Sequence, residues 1–99
     1  MDDMEGTMHA LTNQQIASLL ETVPEWRIEA GVLVRVFQFK DFMGAMRFVN
    51  QVAQLAEEAG HHPDIDIRYN RVRLVLVTHD AGGLSDKDFD LAVKADRTG

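Results

Sequence analysis

Ile65-Asp66-Ile67-Arg68-Tyr69-Asn70-Arg71-Val72-Arg73-Leu74-Val75-Leu76-Val77-Thr78 is the stretch from which the rest of the chain is read. Ile65, Ile67 and Tyr69 alternate with Asp66 and Arg68, the period-two pattern of a strand. Tyr69-Asn70-Arg71-Val72 makes a tight turn, and Val72 to Thr78 forms the partner strand. Leu74/Leu76 and Val75/Val77 fall on opposite faces of that strand, so both of its sides are apolar. Asp80-Ala81-Gly82-Gly83 then reads as a loop.

A second hairpin lies upstream. Trp26 and Ile28 alternate with polar neighbours, Ala30-Gly31 is a turn, and Val32 to Phe39 is rich in β-branched and aromatic residues. The faces of this strand are Val32/Val34/Val36 and Leu33/Phe37/Phe39. Between the hairpins, Asp41 caps the longest helix, and Phe42, Ala45, Met46, Val49, Val52, Ala53 and Ala56 follow one helical face. Met43, Phe48 and Leu55 widen that stripe. Gly60 is suited to end the helix in the left-handed conformation.

Two shorter helices flank the strands. Thr12 caps the first, with Gln15 completing a capping box, Leu11 and Ile16 forming a staple, and Pro24 ending the pattern. Ser85 caps the last, with Asp88 at its third position and a staple between Leu84 and Phe89. The order α-β-β-α-β-β-α predicts an α+β fold: a four-stranded antiparallel sheet with three helices packed on one face. Residues 1–10 read as a flexible polar head in which His9 is solvated, and residues 11–99 as a single domain.

The chain has 99 residues, 45% of them apolar, which suits a modest core and is too apolar for a disordered chain. Ten Lys/Arg against sixteen Asp/Glu give a net charge of −6. That balance opposes direct nucleic-acid binding, which needs a cationic surface. With no cysteine, there is no disulfide, thiolate zinc site or cysteine nucleophile. No apolar run approaches a membrane span, and the acidic N-terminus lacks the features of a signal peptide. Cytoplasmic residence is the expectation.

Chemistry concentrates at two points where the chain leaves regular structure. His61 and His62 follow a helix end, and His79 sits at a strand end. Acidic residues flank both points: Glu57, Glu58 and Asp64 at the first, Asp80 at the second. Imidazole can give and take a proton near neutral pH, so two such groups astride a substrate can assist an elimination. A nearby carboxylate would fix a tautomer. Two other readings stay open. Histidines near helix ends often only meet the last carbonyls. Three histidines and a carboxylate also suffice for zinc, although adjacent histidines in extended chain point to opposite faces.

Glu57-Glu58-Ala59-Gly60-His61-His62-Pro63-Asp64, Tyr69-Asn70-Arg71-Val72 and Thr78-His79-Asp80-Ala81-Gly82-Gly83-Leu84-Ser85-Asp86-Lys87-Asp88 together resemble the pterin-4a-carbinolamine dehydratase family. The likeness runs from Leu11 to Ala95 and includes Trp26, Phe39-Lys40-Asp41-Phe42, Ala45-Met46 and Phe48-Val49. The resemblance implies loss of water from a 4a-hydroxytetrahydropterin to give the quinonoid dihydropterin, in recycling of a reduced pterin, with no metal and no organic cofactor. It implies His61 and His79 as the acid–base pair, and His62 as a pterin-holding residue. Pro63 would shape the pocket, and Thr78 to Ala81, including Asp80, would line it. Glu57 and Asp88 would orient histidines or meet pterin polar atoms. Two positions depart from the family. Many members have tryptophan where this chain has Ile65, and arginine where it has Lys87, which keeps the charge but loses the planar fork.

The resemblance also carries alternatives. Some relatives are dimerisation cofactors of a homeodomain transcription factor, so a protein-binding coactivator role is one. A pterin enzyme of molybdenum cofactor metabolism is another. Retention of all three histidines favours an enzyme. The strands and the long helix carry more apolar surface than a 99-residue monomer can cover, so a homodimer or homotetramer is expected.

Overall fold

The computed structural model describes residues 9–99, so all but His9 and Ala10 of the expected head lies outside the described residues. Those two are exposed. The elements are α1 (Asn13–Leu20), β1 (Arg27–Glu29), β2 (Val32–Gln38), α2 (Phe42–Ala59), β3 (Asp64–Arg68), β4 (Arg71–Leu76), a 3-10 turn (His79–Ala81) and α3 (Asp86–Thr98). The strands form one antiparallel sheet in the order β1-β2-β4-β3.

Local chemistry accounts for the element ends. Thr12 Oγ1 accepts from Gln15 N–H while Gln15 Oε1 accepts from Thr12 N–H, at 3.1 and 2.8 Å. Asp41 Oδ1 accepts from Gly44 N–H at 2.8 Å to start α2. Both hairpins have two-residue loops, since Glu29 pairs Val32 and Arg68 pairs Arg71. In the first, Ala30 and Gly31 both take positive φ, 49° and 82°, as a type I′ turn requires. In the second, Tyr69 sits at φ 51°, an unfavourable angle for a bulky residue. Asn70 braces that turn: its side-chain N–H donates to the Phe39 carbonyl and its own carbonyl accepts from Phe39 N–H, both at 2.8 Å.

The core lies on one side of the sheet. Leu33 and Phe37 of β2 and Val72, Leu74 and Leu76 of β4 pack against Ala45, Phe48, Val52 and Ala56 of α2 and Phe89, Leu91, Ala92 and Ala95 of α3. Phe37 and Phe48 meet at a 4.5 Å centroid distance. Arg35 shares the core-facing row of β2 with Leu33 and Phe37, an unexpected cation there. Its guanidinium lies 4.0 Å above the Phe37 ring and donates to Asp96 Oδ1 at 2.7 Å. Trp26 Nε1–H donates to the same oxygen at 2.7 Å. Asp96 thus ties α3 to β2 and to the segment before β1.

Two expectations need correction. The last strand does not run from Val72 to Thr78: β4 ends at Leu76, and His79 begins a 3-10 turn rather than ending a strand. The cause is a backbone closure in which Thr78 N–H donates to the Gly83 carbonyl and Gly83 N–H to the Thr78 carbonyl, at 3.1 and 3.3 Å. The core face of α2 is also rotated from the expected stripe. Phe48, placed at the margin, is 2% exposed and central, whereas Phe42 and Ala53 face outward. The outer side of the sheet carries Val36, which is exposed, and Val34, which is buried.

Phe48→Ala is expected to lower the free energy of unfolding by about 3–5 kcal/mol. Ala53→Gln should change it by about 0.5 kcal/mol or less. Urea unfolding of the two variants checks the rotation, and equal losses would place the core face elsewhere.

Candidate active site

The helix ending places the histidine pair. Gly60 adopts φ 63°, the left-handed region that glycine enters without a Cβ penalty. Gly60 N–H donates to the Glu57 carbonyl at 3.2 Å and His61 N–H to the Ala56 carbonyl at 3.1 Å, the two bonds of a Schellman ending. The reversal separates the neighbours. His61 turns inward and is 9% exposed, while His62 stays in solvent. Pro63 then favours extended backbone at His62, and β3 begins at Asp64.

Each histidine meets a different carboxylate. His61 Nε2 lies 2.6 Å from Asp88 Oδ1, and His62 Nε2 lies 2.6 Å from Glu57 Oε1. The surroundings differ sharply. Asp88 is fully buried, whereas Glu57 and His62 are both exposed, where an ion pair contributes little stability. A carboxylate offers only lone pairs, so the proton of a neutral His61 sits on Nε2. Its Nδ1 makes no hydrogen bond among the described residues.

Asp88 owes its place to the start of α3. As the third residue after the Ser85 cap, it accepts the Ser85 N–H on Oδ2 at 2.9 Å, closing the capping box. The same oxygen accepts from Thr78 Oγ1 at 2.8 Å, and Thr78 Oγ1 lies 2.7 Å from Ser85 Oγ. One residue therefore caps a helix with one oxygen and holds His61 with the other.

A shallow cleft opens above this network, lined by Gly60, His61, His62, Val77, Thr78, His79, Asp80 and Lys87. The structure thus brings together five of the expected residues: His61, His62, Thr78, His79 and Asp80. Asp88 lies beneath His61, out of reach of solvent, and Glu57 lies beside His62. Pro63 and Ala81, expected to shape and line the pocket, are half-buried and outside this lining. Gly60 and Val77 enter the lining with no chemical signal in the sequence. Lys87 enters it as a cation on the first turn of α3. Among the described residues, no three His, Asp or Glu side chains converge closely enough to hold a metal ion. The arrangement offers one buried, carboxylate-oriented imidazole and two exposed ones around a common space, a constellation suited to proton transfer.

A family model described as pterin 4 alpha carbinolamine dehydratase matches residues 9–98. A protein of Acidobacterium capsulatum, provisionally named a pterin-4-alpha-carbinolamine dehydratase, is 61% identical over 86% of this chain and 92% of its own. A protein of the same provisional name from Thermomicrobium roseum is 56% identical over 88% of this chain and 94% of its own. A crystal structure of a transcriptional coactivator/pterin dehydratase from Brucella melitensis aligns with a TM-score of 0.88. It is 33% identical and is matched over 91% of this chain and 98% of that one. A pterin dehydratase-like protein identified as a RuBisCO assembly factor in the alpha-carboxysome aligns with a TM-score of 0.62 at 26% identity, over 74% of this chain and 84% of that one. With the family match running from the first described residue to the last turn of α3, this chain belongs to the pterin 4-alpha-carbinolamine dehydratase family.

Proposed function

We propose that the protein is a 4a-hydroxytetrahydropterin dehydratase, a lyase that works by histidine acid–base catalysis in recycling of a reduced pterin. The observation that carries the reading is the buried His61–Asp88 pair beneath a cleft shared with His62 and His79. A carbinolamine bears a hydroxyl and an amine nitrogen on one carbon. Dehydration breaks the C–O bond and forms C=N. The hydroxyl departs as water with a proton from an acid, and the nitrogen gives its proton to a base.

His61 and His79 are assigned to those two proton transfers. Asp88 is a positioning residue: its oxygen on Nε2 leaves Nδ1 as the His61 atom that exchanges protons. His62, oriented by Glu57, holds the pterin, as do Asp80 and the backbone around Thr78. No cofactor is required by this chemistry, because elimination of water moves no electrons to or from the substrate. No helix among the described residues is long and apolar enough to cross a membrane, which suits a cytoplasmic enzyme.

A second reading, a protein-binding module, draws on the names of the two structural neighbours, a coactivator/pterin dehydratase and an assembly factor. The exposed apolar side chains Val36, Phe42 and Met43 are material for such contacts. We assign them instead to a second copy of this chain. A buried carboxylate–imidazole pair is unnecessary for docking and favours the enzyme.

His61→Ala or His79→Ala should lower the rate of 4a-hydroxypterin dehydration, followed by ultraviolet absorbance, by about 10² to 10⁴ with the fold intact. His62→Ala should raise KM more than it lowers kcat. Near-wild-type rates in both of the first two variants would sink the acid–base assignment.

Light scattering at micromolar concentration checks assembly. The expected mass is two or four times the 11.1 kDa of the chain, and a monomer's mass would refute it.

A further inference from the structure

Thr78 belongs to the segment expected to line a substrate pocket, yet its hydroxyl is committed elsewhere. It is buried, and Oγ1 donates to Asp88 Oδ2 at 2.8 Å. A threonine hydroxyl has one proton. The 2.7 Å contact with Ser85 Oγ must therefore be made by the serine proton, donated to Thr78 Oγ1. Ser85 Oγ in turn accepts the Lys87 N–H at 3.3 Å. The protons run one way, from the α3 backbone through Ser85 and Thr78 to Asp88. Every group that touches Asp88 is a donor: Thr78 Oγ1–H and Ser85 N–H on Oδ2, His61 Nε2–H on Oδ1.

We infer that Thr78 and Ser85 are positioning residues, a buried hydroxyl chain that fixes the Asp88 carboxylate and through it the tautomer of His61. The chain saturates Oδ2, so Asp88 presents only Oδ1 to the imidazole. His61 is then confined to the form with its proton on Nε2, and Nδ1 is kept as the basic nitrogen. Without the Thr78 hydroxyl, Oδ2 keeps a single donor and the carboxylate can swing. The hold of Oδ1 on the Nε2 proton then weakens, and the other imidazole form gains population. The kinetic consequence rests on the dehydratase reading, whereas the tautomer does not.

The test uses the full chain labelled with 15N at histidine. In the wild type, His61 should show the Nε2–H form as its dominant neutral tautomer. Thr78→Val keeps the shape of the side chain and deletes the hydroxyl. It should spread the His61 signals between the two tautomers, and Thr78→Ser should restore the wild-type pattern. Should the valine variant not fold, Ser85→Ala leaves the Thr78 hydroxyl in place and should give the same spread at smaller amplitude. In dehydration assays, Thr78→Val should lower kcat about tenfold with KM within about twofold. An unchanged His61 tautomer in the folded variant would overturn the inference whether or not the protein dehydrates pterins. So would a raised KM with kcat intact, because the hydroxyl would then be touching substrate. If the wild type shows no dehydration while the tautomer shifts as stated, the hydroxyl chain stands and the dehydratase reading falls.

Discussion

The Asp88 carboxylate is the point on which the site depends. A carboxylate taken out of water loses strong hydration and is tolerated only when its oxygens find donors. Asp88 is fully buried and finds three: His61, Thr78 and the Ser85 backbone. These come from the end of α2, the segment after β4 and the start of α3. No one of those segments can shift without leaving a buried charge short of a partner. The requirement for satisfaction therefore acts as a geometric constraint on three chain ends at once, which apolar packing alone would leave loose.

The fold supplies that convergence. β4 is an interior strand, paired along β2 and β3, so its exit is held from both sides. The Thr78–Gly83 closure then turns the chain immediately, bringing His79 to the cleft and returning the chain to Ser85. The Schellman ending of α2 acts on the opposite wall. Because adjacent side chains diverge there, the sequence neighbours His61 and His62 receive opposite treatment. One is buried on a buried carboxylate, the other exposed on an exposed one. Two histidines of the same type can thus perform different tasks without any difference in their immediate sequence.

Much of this was legible in the sequence because it is written in local chemistry. The caps Thr12, Asp41 and Ser85, the terminator Gly60 and the period-two hairpin residues act over a few positions, and each appears where those rules put it. The face of α2 was less legible. Its apolar residues extend round more than half the helix, and only the partner surface decides that Phe48 points inward and Phe42 outward. The end of β4 was hidden for another reason. Val77 and Thr78 are good strand residues, and a closure between Thr78 and Gly83 leaves no periodic trace. The half-buried place of Arg35 in the core-facing row of β2 was unreadable because its partners, Asp96 and the Phe37 ring, are brought to it by tertiary packing. At the site, the two roles of Asp88 share one signal. Its helix-start position fully accounts for the residue, so nothing in the sequence separates the cap from the histidine partner.

Ile65 and Lys87, the two expected departures from the family pattern, lie in different surroundings. Ile65 pairs with Leu74 across the sheet and packs at the edge of the core, outside the lining of the cleft. Isoleucine in place of the tryptophan that the resemblance implies would remove apolar volume from the scaffold, an effect that neighbouring side chains can absorb by repacking. Lys87 is different, since it lines the cleft and its backbone N–H takes part in the Ser85 cap. The backbone role is indifferent to the side chain, so the substitution leaves α3 and Asp88 undisturbed. The side chain is another matter. A planar, five-donor fork becomes a single mobile ammonium, which can neutralise a polar substrate atom but cannot hold two at fixed spacing. On the proposed dehydratase reading, the change that bears on substrate is therefore the conservative-looking one. It leaves His61, His62 and His79 as they stand and would alter only how firmly a ligand is oriented in the cleft they share with Lys87.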